Sequence, residues 1–153
     1  MTCSIRKFKM KDVEKILPII MGYRVQHHKI NVDDSIIKST REVLMSMLEH
    51  KDSFVFIGEI DSTVVGYMVV HLCPFPLLGS HEMYITDLVI DPSYRNQGNG
   101  KHFINKAIEL GRSMDCKRLM LNNNKTSEAY LRSFYRKCDF EERNGFANFV
   151  FNL

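Results

Sequence analysis

The chain has no tryptophan, only four prolines and four cysteines, and a net charge of only +3 over 153 residues. Each shortage excludes something. The cysteines (Cys3, Cys73, Cys116 and Cys138) show no paired spacing, so they read as free thiols in a reducing cytosol rather than a disulfide framework. Cys-x-x-Cys and His-Glu-x-x-His are both missing, which argues against a metal. The small positive excess is dispersed, so no nucleic-acid-binding surface is expected. No apolar run approaches the roughly 20 residues of a bilayer span, and the opening MTCSIRKFKMKD is too polar for a secretory leader. Repeats, linkers and low-complexity tracts are absent. With 44% hydrophobic residues, the expectation is one cytoplasmic globular domain over 1–153.

What is present centres on Tyr84 to Gly111, YITDLVIDPSYRNQGNGKHFINKAIELG. Tyr84 to Ile90 is rich in β-branched and aromatic residues, as a strand should be. Asp91-Pro92-Ser93 stops it, because proline has no amide to donate to a ladder. Gly98 and Gly100 follow in a polar turn, and from Lys101 the apolar residues Phe103, Ile104, Ala107 and Ile108 recur on one helix face. Strand, glycine turn and helix have a chemical consequence. The first turn of a helix leaves backbone N–H groups unpaired, at the positive end of the macrodipole. Two glycines remove the β-carbons that would keep a ligand off the backbone, and Arg95 and Lys101 flank the turn with full charge. The turn is built to hold a phosphate or pyrophosphate.

Three motifs compete for it. A P-loop requires Ser or Thr after Gly-Lys, but His102 follows Lys101, and Arg95 stands where its first glycine belongs. A dinucleotide fingerprint requires a third glycine where Phe103 stands. The pattern Arg/Gln-x-x-Gly-x-Gly/Ala is met in full by Arg95-Asn96-Gln97-Gly98-Asn99-Gly100. In that motif, after an LVIDPSYR strand and before an amphipathic helix, the chain resembles the GNAT superfamily of acyl-CoA-dependent N-acetyltransferases.

The remaining elements read in chain order. Ser4 to Phe8 alternates as a first strand, and Asp12 caps a helix burying Ile16, Leu17, Ile20 and Met21, with Pro18 as a kink. Tyr23 to Asn31 reads as a polar connection. A second helix runs from about Asp33 to His50, with Ile37, Val43, Leu44, Met47 and Leu48 on its buried face. Ser53–Ile60 and Thr63–Leu72 form a hairpin around Asp61-Ser62. The loop 73–81 holds two prolines and a glycine, which should end pairing, and exposes Phe75, Leu77 and Leu78 as a lid or a subunit contact. Lys117–Asn122 is a fifth strand, and Ser127 caps a helix with Tyr130, Leu131, Phe134, Tyr135 and Cys138 on one face. Phe140–Arg143 and Phe146–Phe151 are expected to form a hairpin around Asn144-Gly145. The resulting α/β class is a mixed, mostly antiparallel sheet of about six to seven strands flanked by about four helices, order βααβββαβαββ. It matches the GNAT order from end to end.

The resemblance implies the chemistry. Acetyl-CoA, as cosubstrate and with no metal, would lie where two neighbouring strands splay. The backbone of Leu88, Val89 and Ile90 would meet the pantetheine, and Arg95, Asn96, Gln97, Gly98, Asn99, Gly100 and Lys101 the pyrophosphate. Asn123, near the end of the fifth strand, is a further candidate for the CoA chain. An amine acceptor would attack the thioester directly. A free alkylamine has a pKa near ~10.4 and a thiol near ~8.5, so both a base and an acid help. FYRKCDF resembles the family's FYxKxGF segment, which makes Tyr135 the general acid, although Asp139 replaces the usual glycine. For the base, Asp87 shares a face with Ile85 and Val89 by strict alternation, where desolvation would raise its pKa. Glu82 is the second candidate, and water, His71, His81 or the Tyr23–Asn31 segment remain open. The acceptor implied is a small-molecule primary amine (polyamine, aminoglycoside or amino-acid-like). Protein lysine or N-terminal acetylation is the first alternative, and a non-catalytic CoA-binding sensor or interaction module is the alternative of another class. No nucleic acid or membrane partner is expected. Phe149 and Phe151 on the last strand would form the edge of a homodimer.

Overall fold

The computed structural model describes residues 3–28 and 31–153. Contacts divide the chain into two units, 1–122 and 123–153.

The first unit holds one five-stranded sheet in sequence order, with β1 Ser4–Lys7, β2 Ser53–Ile60, β3 Thr63–Phe75, β4 Ser80–Ile90 and β5 Arg118–Leu121. All neighbours are antiparallel except β4 and β5. Helices α1 Val13–His28 and α2 Asp34–Ser46 precede β2, and α3 Asn99–Ser113 joins β4 to β5. Period-2 alternation sorts the strands into two apolar faces. Val55, Ile57, Tyr67, Val69 and Val89 pack with Ile16 and Leu17 of α1 and Leu44 of α2. Phe56, Met68, Val70, Met83 and Ile85 lie on the opposite face, buried like Phe103, Ile104 and Ala107 of α3. Gly58 makes that second layer fit, because a Cβ there would stand 2.8 Å from the Phe103 ring. The Asp61-Ser62 turn joins β2 to β3 with both residues at positive φ, as a type I′ hairpin requires.

Several expectations need correction. Asp12 does not cap α1. It lies one residue earlier, in a 3-10 turn, fully buried between Arg6 (2.8 Å) and the Lys9 amide (2.9 Å). Helix α1 then runs through Pro18 to His28, taking in most of the segment read as a connection, of which Lys29 and Ile30 lie outside the described residues. Asp33 caps α2 by accepting from the Ile36 amide, but Val43 is exposed. The predicted loop 73–81 is mostly sheet, since Cys73, Pro74 and Phe75 pair with Glu82, His81 and Ser80. Pro74 is tolerated because its nitrogen points to the side where β2 has already ended; the last bond there is from the Leu72 amide to Asp52. Only the tip, residues 76–79, leaves the ladder, with Leu77 exposed.

The second unit holds α4 Glu128–Leu131 and a 3-10 turn Arg136–Cys138. Ser127 caps α4 as expected, accepting from the Tyr130 amide. The helix stops early because Ser133 takes a positive φ, and the Phe134 and Ser133 amides close back on Ala129 and Tyr130. Glu142 gathers Tyr130, Lys125 and Arg136. No strand forms at Phe140–Arg143 or Phe146–Phe151, so the sheet has five strands rather than six or seven. Neither Asn144 nor Gly145 adopts the positive φ of a type I′ turn. A two-stranded hairpin with no sheet to join is marginal in water, and Phe149, Val150 and Phe151 stand exposed.

Among the described residues, no helix is long and apolar enough to cross a membrane, and no cluster of three His, Cys, Asp or Glu side chains gathers as for a metal.

Candidate active site

Strand β4 organises the site, because its two edges end differently. Toward β3 it is paired all the way to Ile90, which faces Gly66. Toward β5 pairing covers only Glu82 to Ile85, opposite Arg118 to Leu121. Among the described residues, no strand meets Thr86–Ile90 on that side. A backbone edge of donors and acceptors is thereby left for a ligand, and it includes Leu88, Val89 and Ile90.

The change of register happens at one residue. Val69 pairs with Asp87 while Val70 pairs with Ile85, so Thr86 is an extra residue in β4. Such a bulge bends the strand and re-aims the side chains beyond it. It also corrects the face assigned to Asp87. Strict alternation put Asp87 with Ile85 and Val89; across the bulge it keeps Val89 but parts from Ile85, and looks toward the α1–α2 layer.

Asp87 reaches solvent, yet protein walls it closely enough for desolvation to raise its pKa, with His71 on β3 pulling the other way. Burial, joined by the charge of Asp87, pushes the Tyr67 hydroxyl far up. A carboxylate whose pKa is raised and which solvent still reaches is suited to accept protons. Glu82 differs. It is buried, and Arg118 on β5 holds its carboxylate while also covering the Phe75 ring at 5.0 Å. That carboxylate is spent on closing the paired end of β4 and β5. Asn122 reinforces the same end through the Tyr84 hydroxyl at 2.9 Å.

At the far end of β4 the chain enters the glycine turn. Asp91 accepts from the Ser93 amide, and the Arg95 guanidinium donates to the Ile90 carbonyl at 2.9 Å, folding the arm onto the strand's end. Asn96 and Gly98 take positive φ of 60° and 84°. Gly98 is the N-cap of α3 and brings no capping side chain, so the first helical amides stay available. A Cβ on Gly98 would meet nothing within 4 Å, which leaves open space over the turn. Asn99 is buried and donates to the Tyr94 carbonyl at 2.8 Å, anchoring the turn from beneath, while Gln97 and Lys101 stay exposed. The backbone nest, the helix end and the flanking cations fit a pyrophosphate. A recess of about 130 Å³, lined by Pro18, Ile19, Tyr23, Val89, Ile90 and Arg95 among others, lies against this end of β4.

Tyr135 and Asn123 belong to the second unit. Asn123 accepts from the Ser127 hydroxyl at 2.9 Å and so steadies the cap of α4. Tyr135 is fixed by a helix-ending motif of its own. The Phe140 amide closes on the Tyr135 carbonyl, and the Asp139 amide on Arg136. The rings of Tyr135 and Phe140 then meet edge-on at 5.8 Å. That geometry explains the spacing of FYRKCDF, because the residue between must be left-handed, and Asp139 has φ 65°. Asp139→Gly is therefore expected to raise the melting temperature, by up to about 1 kcal/mol of stability. A lower melting temperature in that variant would contradict this reading of the turn.

A strand that splays at a bulge and runs into a glycine-capped helix has a known counterpart. The acetyltransferase (GNAT) family model matches residues 22–140. The chain belongs to the GNAT family. GNAT enzymes use acetyl-CoA. Glucosamine 6-phosphate N-acetyltransferase of Trypanosoma brucei brucei is 33% identical over 87 residues, 56% of this GNAT chain and 56% of that relative. Among solved structures, a transcriptional regulator from Bacillus halodurans C-125 superposes with TM-score 0.84 at 19% identity, covering 98% of this chain and 100% of the other. An aminoglycoside acetyltransferase from an uncultured soil metagenomic sample gives TM-score 0.77 at 21% identity, covering 99% and 96%. At those identities the likeness is one of fold.

Proposed function

We propose that this GNAT chain moves an acetyl group from acetyl-CoA directly to the primary amine of a small molecule. The observation that carries the reading is the open edge of β4, which begins at the Thr86 bulge and leads into the uncapped turn at Gly98. Acetyl-CoA supplies the activated acyl group. Leu88 to Ile90 would receive its pantetheine on their free edge, and Arg95 to Lys101 its pyrophosphate. Asp87 takes a proton from the acceptor ammonium, which frees the nitrogen lone pair to form the C–N bond as the C–S bond breaks. Tyr135, on the strength of the FYRKCDF motif, donates to the leaving sulfur. Asn123 acts through the cap of α4 toward the CoA chain.

The small-molecule acceptor is supported by the names of the relatives, which denote acetylation of glucosamine 6-phosphate and of aminoglycosides. Both are amines carried on sugars. The family match crosses the boundary between the two units, which supports a single N-acetyltransferase domain over 1–153. The absence of a disulfide among Cys3, Cys73, Cys116 and Cys138 accords with a cytoplasmic protein. No metal is required by this chemistry. A homodimer also belongs to this reading, supported by the exposed Phe146, Phe149 and Phe151, and sedimentation of the full chain as a monomer would remove it.

Initial rates with acetyl-CoA and acceptor varied together test the direct transfer. Intersecting reciprocal lines are expected, whereas parallel lines would mean a covalent acyl-enzyme. In the same assay Tyr135→Phe should slow transfer at least about tenfold, with CoA affinity unchanged. Transfer at the wild-type rate would remove Tyr135 as the acid.

A further inference from the structure

The bulge in β4 brings three side chains from three neighbouring strands into one hydrogen-bonded line. His71 on β3 meets the Ser53 hydroxyl of β2 through Nδ1 at 2.8 Å and the Thr86 hydroxyl of β4 through Nε2 at 3.1 Å. Thr86 is the bulge residue itself, and Asp87 is the next residue in the chain. Ser53 is buried, whereas Thr86 is exposed, so the line runs from the protein to solvent. Both ring nitrogens are engaged, which fixes the imidazole in one orientation. A hydroxyl can either donate or accept, so each end suits either tautomer.

We propose that His71 is a positioning residue for Asp87: its hydrogen bonds to Ser53 and Thr86 clamp the bulge that aims the carboxylate.

An ammonium that becomes an amide loses two protons; one ends on the thiol of CoA, and the other leaves Asp87 for the solvent that reaches it. Burial holds the His71 pKa down, while Asp87 raises it and His50, from the segment before β2, lowers it. The other titratable groups on this side are Tyr67 and Cys73 of β3, Tyr84 and Glu82 of β4, Arg118 of β5, which is ion-paired with Glu82, and Tyr23 of α1.

This inference rests on Asp87 being the base, and the test separates the two. The pH dependence of kcat/KM is measured for wild type, His71→Gln, Thr86→Val and Asp87→Asn, with CoA affinity measured alongside. His71→Gln should leave CoA affinity unchanged and lower kcat about tenfold. It should also move the acid limb of kcat/KM to higher pH, because the carboxylate loses a neighbour that favours its charged form. Thr86→Val preserves shape at an exposed position, so it reports even if His71→Gln folds poorly; it should lower kcat in the same direction. If both His71→Gln and Thr86→Val keep the wild-type rate and acid limb while Asp87→Asn is slow, the His71 proposal is overturned and the base assignment stands. If Asp87→Asn is itself as fast as wild type, the base assignment falls and takes the His71 proposal with it.

Discussion

Gly98→Asp is expected to raise the dissociation constant for acetyl-CoA by about a hundredfold or more, while the protein still folds. Two features make this a sharp result. The φ of 84° at Gly98 is left-handed, a region that aspartate tolerates at a cost of about 1 kcal/mol. No protein atom stands within 4 Å of the added Cβ, so the substitution meets no clash in the free protein. What it does meet is the ligand. A carboxylate at the N-cap of α3 occupies the space over the turn and opposes the phosphates with like charge, and a loss of about 2.7 kcal/mol corresponds to a hundredfold. Gly98→Ala separates the two effects, since it adds the Cβ and the backbone strain without the charge. Its affinity should fall between wild type and Gly98→Asp in a calorimetric titration. A folded Gly98→Asp protein that binds acetyl-CoA normally would show that the pyrophosphate does not sit at this turn.

The second large effect is at Asp87. Asp87→Asn should lower kcat/KM by about 10²–10⁴, the usual contribution of a positioned base. The pH profile gives the sign. Burial raises the pKa of Asp87 above that of a free aspartate, and His71 opposes the shift only in part. The wild-type rate should therefore fall as pH drops through that raised value, and the asparagine variant should lose this acid limb. Stability should move the opposite way. A carboxyl whose folded pKa lies above its unfolded value favours folding below the unfolded value, and that benefit is lost as pH rises through the folded one. At neutral pH the ionised Asp87 thus weakens the fold, and Asp87→Asn should melt higher than wild type. A variant that is less active and more stable marks a residue kept for function. If Asp87→Asn were both as active as wild type and less stable, the carboxylate would be structural.

The legible part of this molecule was the part encoded locally. Arg95 to Lys101 could be read as an anion-binding turn because proline, two glycines and a helix periodicity occur within a short stretch, and each acts on its own backbone. Asp61-Ser62 was legible for the same reason. The bulge at Thr86 was not, because it exists only in the register between β3 and β4, and no residue type announces it. The face of Asp87 therefore could not be assigned by alternation, and the line from Ser53 through His71 to Thr86 stayed hidden although His71 was among the candidates. Pro74 misled in the other direction; its missing amide matters only where a neighbouring strand would need it. At the tail a strong turn signal, Asn144-Gly145, failed for want of a partner. The left-handed residue after Tyr135 was visible only through the family pattern, in which glycine occupies the position of Asp139.

The most direct measurement is release of free thiol from acetyl-CoA by the full chain, across amine-bearing sugars, aminoglycosides, polyamines, amino acids and lysine peptides. Amine-dependent thiol release with a small-molecule acceptor is expected, lost in Gly98→Asp and strongly slowed in Asp87→Asn. Tight acetyl-CoA binding with release from lysine peptides alone would contradict the small-molecule acceptor. Tight binding with no release from any amine would contradict acetyl transfer as the function of this site.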